Sequence, residues 1–116
     1  MRNLALALLL LSIATSAIAG GVCREKLDSR YRLSGPEISL AELQRIGTAY
    51  AAQNESVPQV PFAYSNKDWH LFVANYRPGD QIRAFELLGP GGSLFLRGYA
   101  LIRGQCVVSF IVTAMT

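Results

Sequence analysis

The stretch "NKDWHLFVANYRPGDQI", residues 66–82, is where the chain changes from a helical to an extended pattern. Its apolar residues recur at helical spacing, at i, i+3, i+4 and i+7: Trp69, Phe72, Val73 and Tyr76. Ser65 or Asn66 can cap such a helix, and Asp68 in the first turn suits the positive end of its dipole. The spacing therefore predicts a short helix with one apolar face.

The predicted helix ends in a turn. Pro78 lacks a backbone N–H and disfavours the helical conformation in the residue before it, so the helix stops ahead of it. Pro78 and Gly79 then suit the two central positions of a type II turn, where glycine takes the positive φ. Because local geometry explains each unusual residue, the stretch is interpreted as a structural joint rather than an active site.

Strand patterns fill the chain after this turn. "QIRAFELL", residues 81–88, leads through the loop "GPGG", residues 89–92, into "SLFLRGYALI", residues 93–102. Residues 103–104, Arg-Gly, predict a tight turn into "QCVVSFIVTAM", residues 105–115. The chain therefore ends in a β-hairpin.

The loop length sets the register of this hairpin. If residues 103–104 form a two-residue loop, Tyr99 pairs with Val108 and Arg97 pairs with Phe110. A shift of one residue would break both pairs, because side chains alternate between the two faces of a sheet.

The last strand is apolar on both faces. Its apolar residues alternate between them: Cys106, Val108, Phe110 and Val112 on one, and Val107, Ile111 and Met115 on the other. Such a strand is typically central in a sheet and covered on both sides. The second face therefore needs a cover, and a partner, a second protomer or the segment "VPQVPFAY", residues 57–64, can supply it.

A second helix pattern lies upstream. Residues 40–53 place apolar side chains at helical spacing, and Gly47 weakens the pattern slightly. Ser39 and Glu42 are spaced as a capping box, which satisfies two backbone donors at the start of a helix. This region predicts the first helix of the domain.

The remaining pattern completes the fold class. "DSRYRL", residues 28–33, predicts a short edge strand, which residues 34–36, Ser-Gly-Pro, bring to an end. The elements together predict an α+β fold with two helices packed on one face of a three- to four-stranded antiparallel sheet. The sheet is expected to be a meander that ends in the C-terminal hairpin.

The N-terminus has the three parts of a secretory signal, in residues 1–19. Arg2 supplies the positive start, and the apolar run of residues 4–13 is too short to span a bilayer. Residues 17–19, Ala-Ile-Ala, offer the small-x-small cleavage pattern. We therefore expect a cleaved signal and one exported domain of residues 20–116, periplasmic or secreted, with an uncleaved anchor as the alternative.

Two cysteines, Cys23 and Cys106, lie after the signal. In an oxidising compartment an even count indicates a disulfide, which here would tie the mature N-terminus to the last strand. Two free thiols are the alternative. No CxxC pair and no Cys/His spacing typical of zinc is present in the sequence, so we expect neither a metal site nor a cofactor.

The charges exclude one class of partner. Without Arg2, ten Lys and Arg face eight Asp and Glu, and they are scattered. Nucleic-acid binding needs a basic stripe, so we expect no nucleic-acid partner. Five residues of the hairpin and of the turn before it could form a mixed basic and aromatic binding surface, or simply be solvated: Arg97, Tyr99, Arg103, Arg77 and Arg83.

The candidate catalytic residues gather around the joint. A hydrolase or lyase could use His70, the only histidine, with Asp68 or Asp80 and with Tyr76. On a helix, however, Asp68 points to a different side from His70, and the sequence places no nucleophile beside the imidazole. A metal would need further ligands that the sequence does not offer.

The sequence therefore favours an exported, non-enzymatic module that binds a protein or a component of the cell envelope. An inhibitor of a secreted enzyme belongs to the same class, with "GPGG", residues 89–92, as its one candidate loop. Self-association through the last strand is a further expectation, and stable membrane insertion after signal cleavage is not expected. The alternative function is a small hydrolase or lyase that uses His70.

Overall fold

The computed structural model describes residues 23–115, so the predicted signal at residues 1–19 lies outside the described residues. The elements, in chain order, are β1 (Glu25–Lys26), β2 (Tyr31–Ile38), α1 (Leu40–Ala52), α2 (Asn66–Asn75), β3 (Gln81–Leu88), β4 (Leu94–Arg103) and β5 (Cys106–Met115). Two short 3₁₀ turns precede α2 and β4, at Ala63–Ser65 and Pro90–Gly92. The predicted α+β class is confirmed.

The strands form one antiparallel sheet in the order β1-β5-β4-β3-β2. The described residues thus contain five strands, and the predicted count of three to four is wrong. The additional strand is β1, whose two residues pair with Val107 and Cys106 of β5. Two residues are too short to give an alternation pattern, which is why the sequence did not reveal this strand.

Strand β2 is longer than predicted. Residues 34–36 do not end it but form an irregularity, since the register with β3 shifts between Ser34 and Ile38. Gly35 takes a left-handed φ of 75° there, and its carbonyl accepts a hydrogen bond of 2.8 Å from Arg83. The turn-forming residues are therefore accommodated as a bulge in an edge strand.

The predicted hairpin register is also wrong. Tyr99 lies opposite Ile111, and Arg97 lies opposite Ala114. The tight turn is Gly104-Gln105 instead of residues 103–104, because Arg103 already pairs with Cys106. Two further shifts of register each add one residue to β5, and loop length alone does not predict them.

The helices pack on one face of the sheet, which we call the outer face. The core there joins residues from both helices and three strands: Leu43, Phe62, Trp69, Phe72, Ile82, Leu101 and Ile111. Phe62 belongs to the segment at residues 57–64 that was a candidate cover for the second face. The structure places it in the core under the helices instead.

A second core lies on the opposite face of the sheet, and no helical residue belongs to it. Its buried members come from four strands: Tyr31, Phe85, Leu96, Ala100, Ile102 and Val107. Ala100 and Val107 have no exposed surface. Neither α1 nor α2 covers this face, and the curl of the sheet brings its strands around this core.

The link from β1 to β2 explains how the sheet encloses this core. In a flat sheet the outer strands would lie about 19 Å apart, at about 4.8 Å per strand. The link contains a tight turn, with the Tyr31 N–H bonded to the Asp28 carbonyl, so it spans at most about 14 Å. The edges therefore approach each other, and Arg30 beside β2 forms an ion pair of 3.0 Å with Glu25 of β1.

A disulfide fixes the start of this curled sheet. Cys23 and Cys106 are bonded, with their Cα atoms 5.3 Å apart and 83 residues apart in sequence. The predicted bridge is confirmed, and it is compatible with an exported protein. No helix in the described part of the chain is long and apolar enough to cross a membrane.

Candidate functional site

The residues around the Pro-Gly turn form a structural joint. Asp80 is buried and accepts two hydrogen bonds of 2.8 Å from the Arg103 guanidinium at the end of β4. It also accepts a 2.8 Å bond from the Arg77 N–H, and its own N–H closes the turn on the Arg77 carbonyl. The Arg103 hydrogen bonds hold the pKa of Asp80 below its usual value. Asp80 is therefore a fixed anion linking α2, β3 and β4.

The lone histidine lies in a different environment. His70 is exposed in a groove between α1 and α2, whose other lining residues are Leu40, Ala41, Gln44, Trp69 and Val73. No carboxylate or hydroxyl lines this groove. Asp68 is exposed in the first turn of α2, and Tyr76 packs against the core under the helices. Within the described residues, no group of three or more His, Cys, Asp or Glu could hold a metal ion.

The predicted basic surface is divided by the fold. Arg103 belongs to the joint, Arg83 donates to the Gly35 carbonyl, and the Arg77 backbone holds Asp80. Arg97 and Tyr99 remain together, because they are two residues apart on β4 and share the outer face. Both line an open depression on a part of the outer face that neither helix covers.

This depression has a volume of about 220 Å³. Its lining includes small residues and polar side chains from four strands: Ser34, Ala84, Glu86, Arg97, Gly98, Tyr99 and Thr113, with Phe85 also in the lining. Tyr99 and Thr113 also line a neighbouring depression of about 350 Å³ against α1. That second part adds Ile46, Ala49, Tyr50 and Gln53. We call the two together the outer groove.

A row of charges crosses the end of the outer groove. Arg32 of β2 lies opposite Glu86 of β3, and Glu86 lies opposite Arg97 of β4. Arg32 forms a close ion pair with Glu86 and donates a 2.8 Å bond from Nε. The Arg97 guanidinium is 3.9 Å from the same carboxylate, with 53% of its side chain exposed. One carboxylate therefore serves two guanidinium groups, and the tighter pair goes to Arg32.

Sequence reasoning found only Arg97 and Tyr99 of this site; the missed residues include Arg32, Glu86 and Tyr50. The signal that could have found two of them is the period of two, which places Arg32 with Ser34 and Glu86 with Ala84 on one face of their strands. The pattern becomes informative only once the strand register is known. Tyr50 contributes from α1, where its hydroxyl donates to the Thr113 carbonyl over 3.4 Å.

The loop at residues 89–92, the candidate inhibitor loop, connects β3 to β4 outside the outer groove. The loop contains the 3₁₀ turn Pro90–Gly92, and its residues Gly89 and Pro90 line an apolar depression of about 560 Å³ with neighbouring residues. Its members are Arg30, Leu87, Leu88, Gly89, Pro90 and Phe95. This surface carries no row of charges like that of the outer groove.

The comparisons with known proteins found no match among family models, curated proteins or solved structures. The outer groove is an open, partly aromatic surface with an incompletely paired guanidinium.

Proposed function

We propose that this protein is an exported binding module whose outer groove holds a carboxylate-bearing segment of a protein or an envelope component. The observation that carries the proposal is the cross-strand row, in which Glu86 serves both Arg32 and Arg97. The Arg97 side chain is 53% exposed, and its guanidinium is 3.9 Å from the Glu86 carboxylate. A partner's carboxylate can supply the acceptors that Glu86 does not.

The chemistry of the row favours an anionic ligand. A guanidinium has five N–H donors in a fixed fork that matches a carboxylate with two parallel hydrogen bonds. Glu86 pairs with Arg32 at close range through Oε1, and its Oε2 is 3.9 Å from the Arg97 guanidinium. Two guanidinium groups thus share one carboxylate, so a second carboxylate beside Arg97 would meet a net positive charge. Recognition by Arg97 is therefore stronger for a carboxylate than for its neutral amide.

The walls and floor of the groove suit an extended segment. Ala84 has a small side chain on this face, which lets the backbone of a ligand approach the sheet closely. Tyr99 and Tyr50 present partly exposed rings with a polar tip, a residue type enriched at binding surfaces. Binding along this line would extend from the Arg97 end toward α1.

The experiment uses the mature protein, residues 20–116, with its disulfide formed. A short peptide rich in glutamate and its glutamine counterpart are titrated into ¹⁵N-labelled protein, and amide shifts are followed by NMR. We expect the acidic peptide to shift the amides of Arg97, Tyr99 and Thr113, with weaker binding at higher salt. The glutamine peptide is expected to bind at least about tenfold more weakly, which corresponds to ~1.4 kcal/mol.

Two variants test the assignment of Arg97. Arg97→Ala is expected to weaken binding of the acidic peptide by about tenfold, because the bidentate donor is lost. Arg45→Ala is the matched control, since Arg45 is an exposed arginine on α1 that pairs with Glu42. Equal loss in both variants, or shifts confined to another surface, would show that the outer groove is not the binding site.

A further inference from the structure

The two edges of the sheet are built differently. The outer edge of β2 carries Arg32 and Glu37, a bulge at Gly35 and a proline at position 36. Charges, bulges and prolines are the features that prevent an edge strand from pairing with another chain. The β2 edge is therefore protected against strand addition.

The edge of β5 has less protection. Strand β1 covers only Cys106 and Val107, and no other strand of residues 23–115 lies on that side of β5. The ten residues of β5 include no charged residue, no proline and no glycine. Two register shifts place extra residues at Val108 and Thr113, so the regular part of this free edge is residues 109–112.

Helix α2 extends the apolar surface beside this edge. Leu71 is 51% exposed and lies about 200° around the helix from Val73, which faces α1 across the His70 groove. The flank of α2 that carries Leu71 therefore points away from α1. Helix α2 packs on β5, so Leu71 is an exposed apolar residue on the helix above this strand.

We propose that a second copy of this chain pairs with the free edge of β5 in antiparallel orientation, about a two-fold axis within residues 109–112. Two β5 strands can approach without like-charge repulsion between their own side chains, because neither carries a charge. Each Leu71 would then lie near the partner's β5 strand and add apolar contact to the backbone hydrogen bonds.

The protected β2 edge explains why the occupant is a second copy in a closed pair. Pairing of β5 with β2 of another copy would be head-to-tail and would continue into a fibre. The bulge and proline of β2 oppose that arrangement, whereas β5 against β5 uses the same surface twice and ends at two copies. The bulges at Val108 and Thr113 bound the paired segment and so limit alternative registers.

The dimer is expected to be reversible. Four residues of strand pairing and one helix flank are small compared with stable interfaces, so we expect a dissociation constant weaker than ~1 µM. Arg24 lies on the Phe110 ring, 4.3 Å from its centroid, and brings a positive charge close to the axis in each copy. Added salt should therefore strengthen the dimer, whereas it should weaken carboxylate binding in the outer groove.

Analytical ultracentrifugation of the disulfide-bonded mature protein, residues 20–116, over a wide concentration range tests the proposal. We expect a monomer–dimer equilibrium that Leu71→Glu weakens by at least about tenfold. Val60→Glu is the matched control, because Val60 is also an exposed aliphatic residue (41%) but lies in the loop between the helices. A protein that stays monomeric at all concentrations would overturn the proposal.

Hydrogen exchange locates the interface independently of any variant. Amides of residues 109–112 that face the free edge should exchange more slowly as the concentration is raised, while those of β3 should not change. A dimer without this protection would place the interface elsewhere and overturn the proposal. Growth into larger assemblies with rising concentration would equally contradict a closed pair.

Discussion

Gly47→Ala is expected to destabilise the protein, although it adds a better helix former to the middle of α1. In an exposed helix this replacement would stabilise by about 1 kcal/mol. Here a Cβ atom on residue 47 would lie 2.5 and 2.6 Å from two carbons of the Phe62 ring. Both distances are far below a normal contact, so either α1 or the ring would have to move.

The Phe62 ring has little freedom to move. It is 1% exposed, and its centroid lies about 6 Å from the rings of Tyr50 and Trp69, at 6.0 and 5.8 Å. The Phe62 N–H is hydrogen-bonded to the Gly47 carbonyl over 3.0 Å, and the residue holds a left-handed φ of 62°. Overpacking a core in this way costs ~1–3 kcal/mol, and two simultaneous clashes place it at the upper end. After subtracting the helix gain, the net loss is about 2 kcal/mol.

Urea and thermal unfolding of residues 20–116, with the disulfide formed, measure this loss. We expect the melting temperature of Gly47→Ala to fall by roughly 8–16 °C, with an unchanged urea m-value. Thr48→Ala is the control, because it raises helix propensity at the next position on the exposed surface and should stay within about 0.5 kcal/mol of wild type. Combining Gly47→Ala with Phe62→Leu should reduce the penalty of the alanine. A Gly47→Ala protein as stable as wild type would refute the reasoning.

Two further predictions concern the cross-links of the fold. Replacing Cys23 and Cys106 by serine opens a loop of 83 residues and should lower the free energy of unfolding by about 4–5 kcal/mol in the chain-entropy model. The urea midpoints of this variant and of reduced wild type should agree. A midpoint equal to that of the oxidised wild type would contradict the prediction. Asp80→Asn should cost about 2 kcal/mol at pH 7, because it leaves Arg103 without its anion. The pKa of Asp80 is lowered in the folded protein, so its contribution to the free energy of unfolding is complete above about pH 4 and is lost as pH falls through the folded pKa. The stabilities of Asp80→Asn and wild type should therefore converge in acid. A constant difference in stability down to low pH would argue against the ion pair.

Local features of the fold were predictable from the sequence. The helix at residues 40–53 is observed at Leu40–Ala52, and the Ser39 side chain accepts the predicted bond from the Glu42 N–H. The turn at Pro78 is closed as expected, with Gly79 at a φ of 95°. These features depend on residues at most a few positions apart, whose geometry the side-chain types fix directly.

The parts that were not predictable depend on distant residues. Ser65 is at the N-cap position of α2, but its side chain makes no cap hydrogen bond; it ends a 3₁₀ turn in which its N–H is bonded to the carbonyl of the buried Phe62. The partner of Tyr99 moved by three residues, two from the position of the tight turn at Gly104-Gln105 and one from the bulge at Val108. The outer groove could not be recognised for the same reason, since Arg32 and Glu86 are 54 residues apart and meet only through strand register.

Candidate functional residues can be separated by asking which polar groups the fold already uses. Asp80 and Arg103 satisfy each other inside the joint, and Arg83 is engaged by a bulge carbonyl, so substituting any of them would disturb stability before it disturbed recognition. Arg97 makes only a long contact to a carboxylate that a closer arginine already holds, so the fold gains little from its charge. Arg97 also lies beside the partly exposed Tyr99 in the open outer groove. Substituting Arg97 therefore tests binding without destabilising the fold.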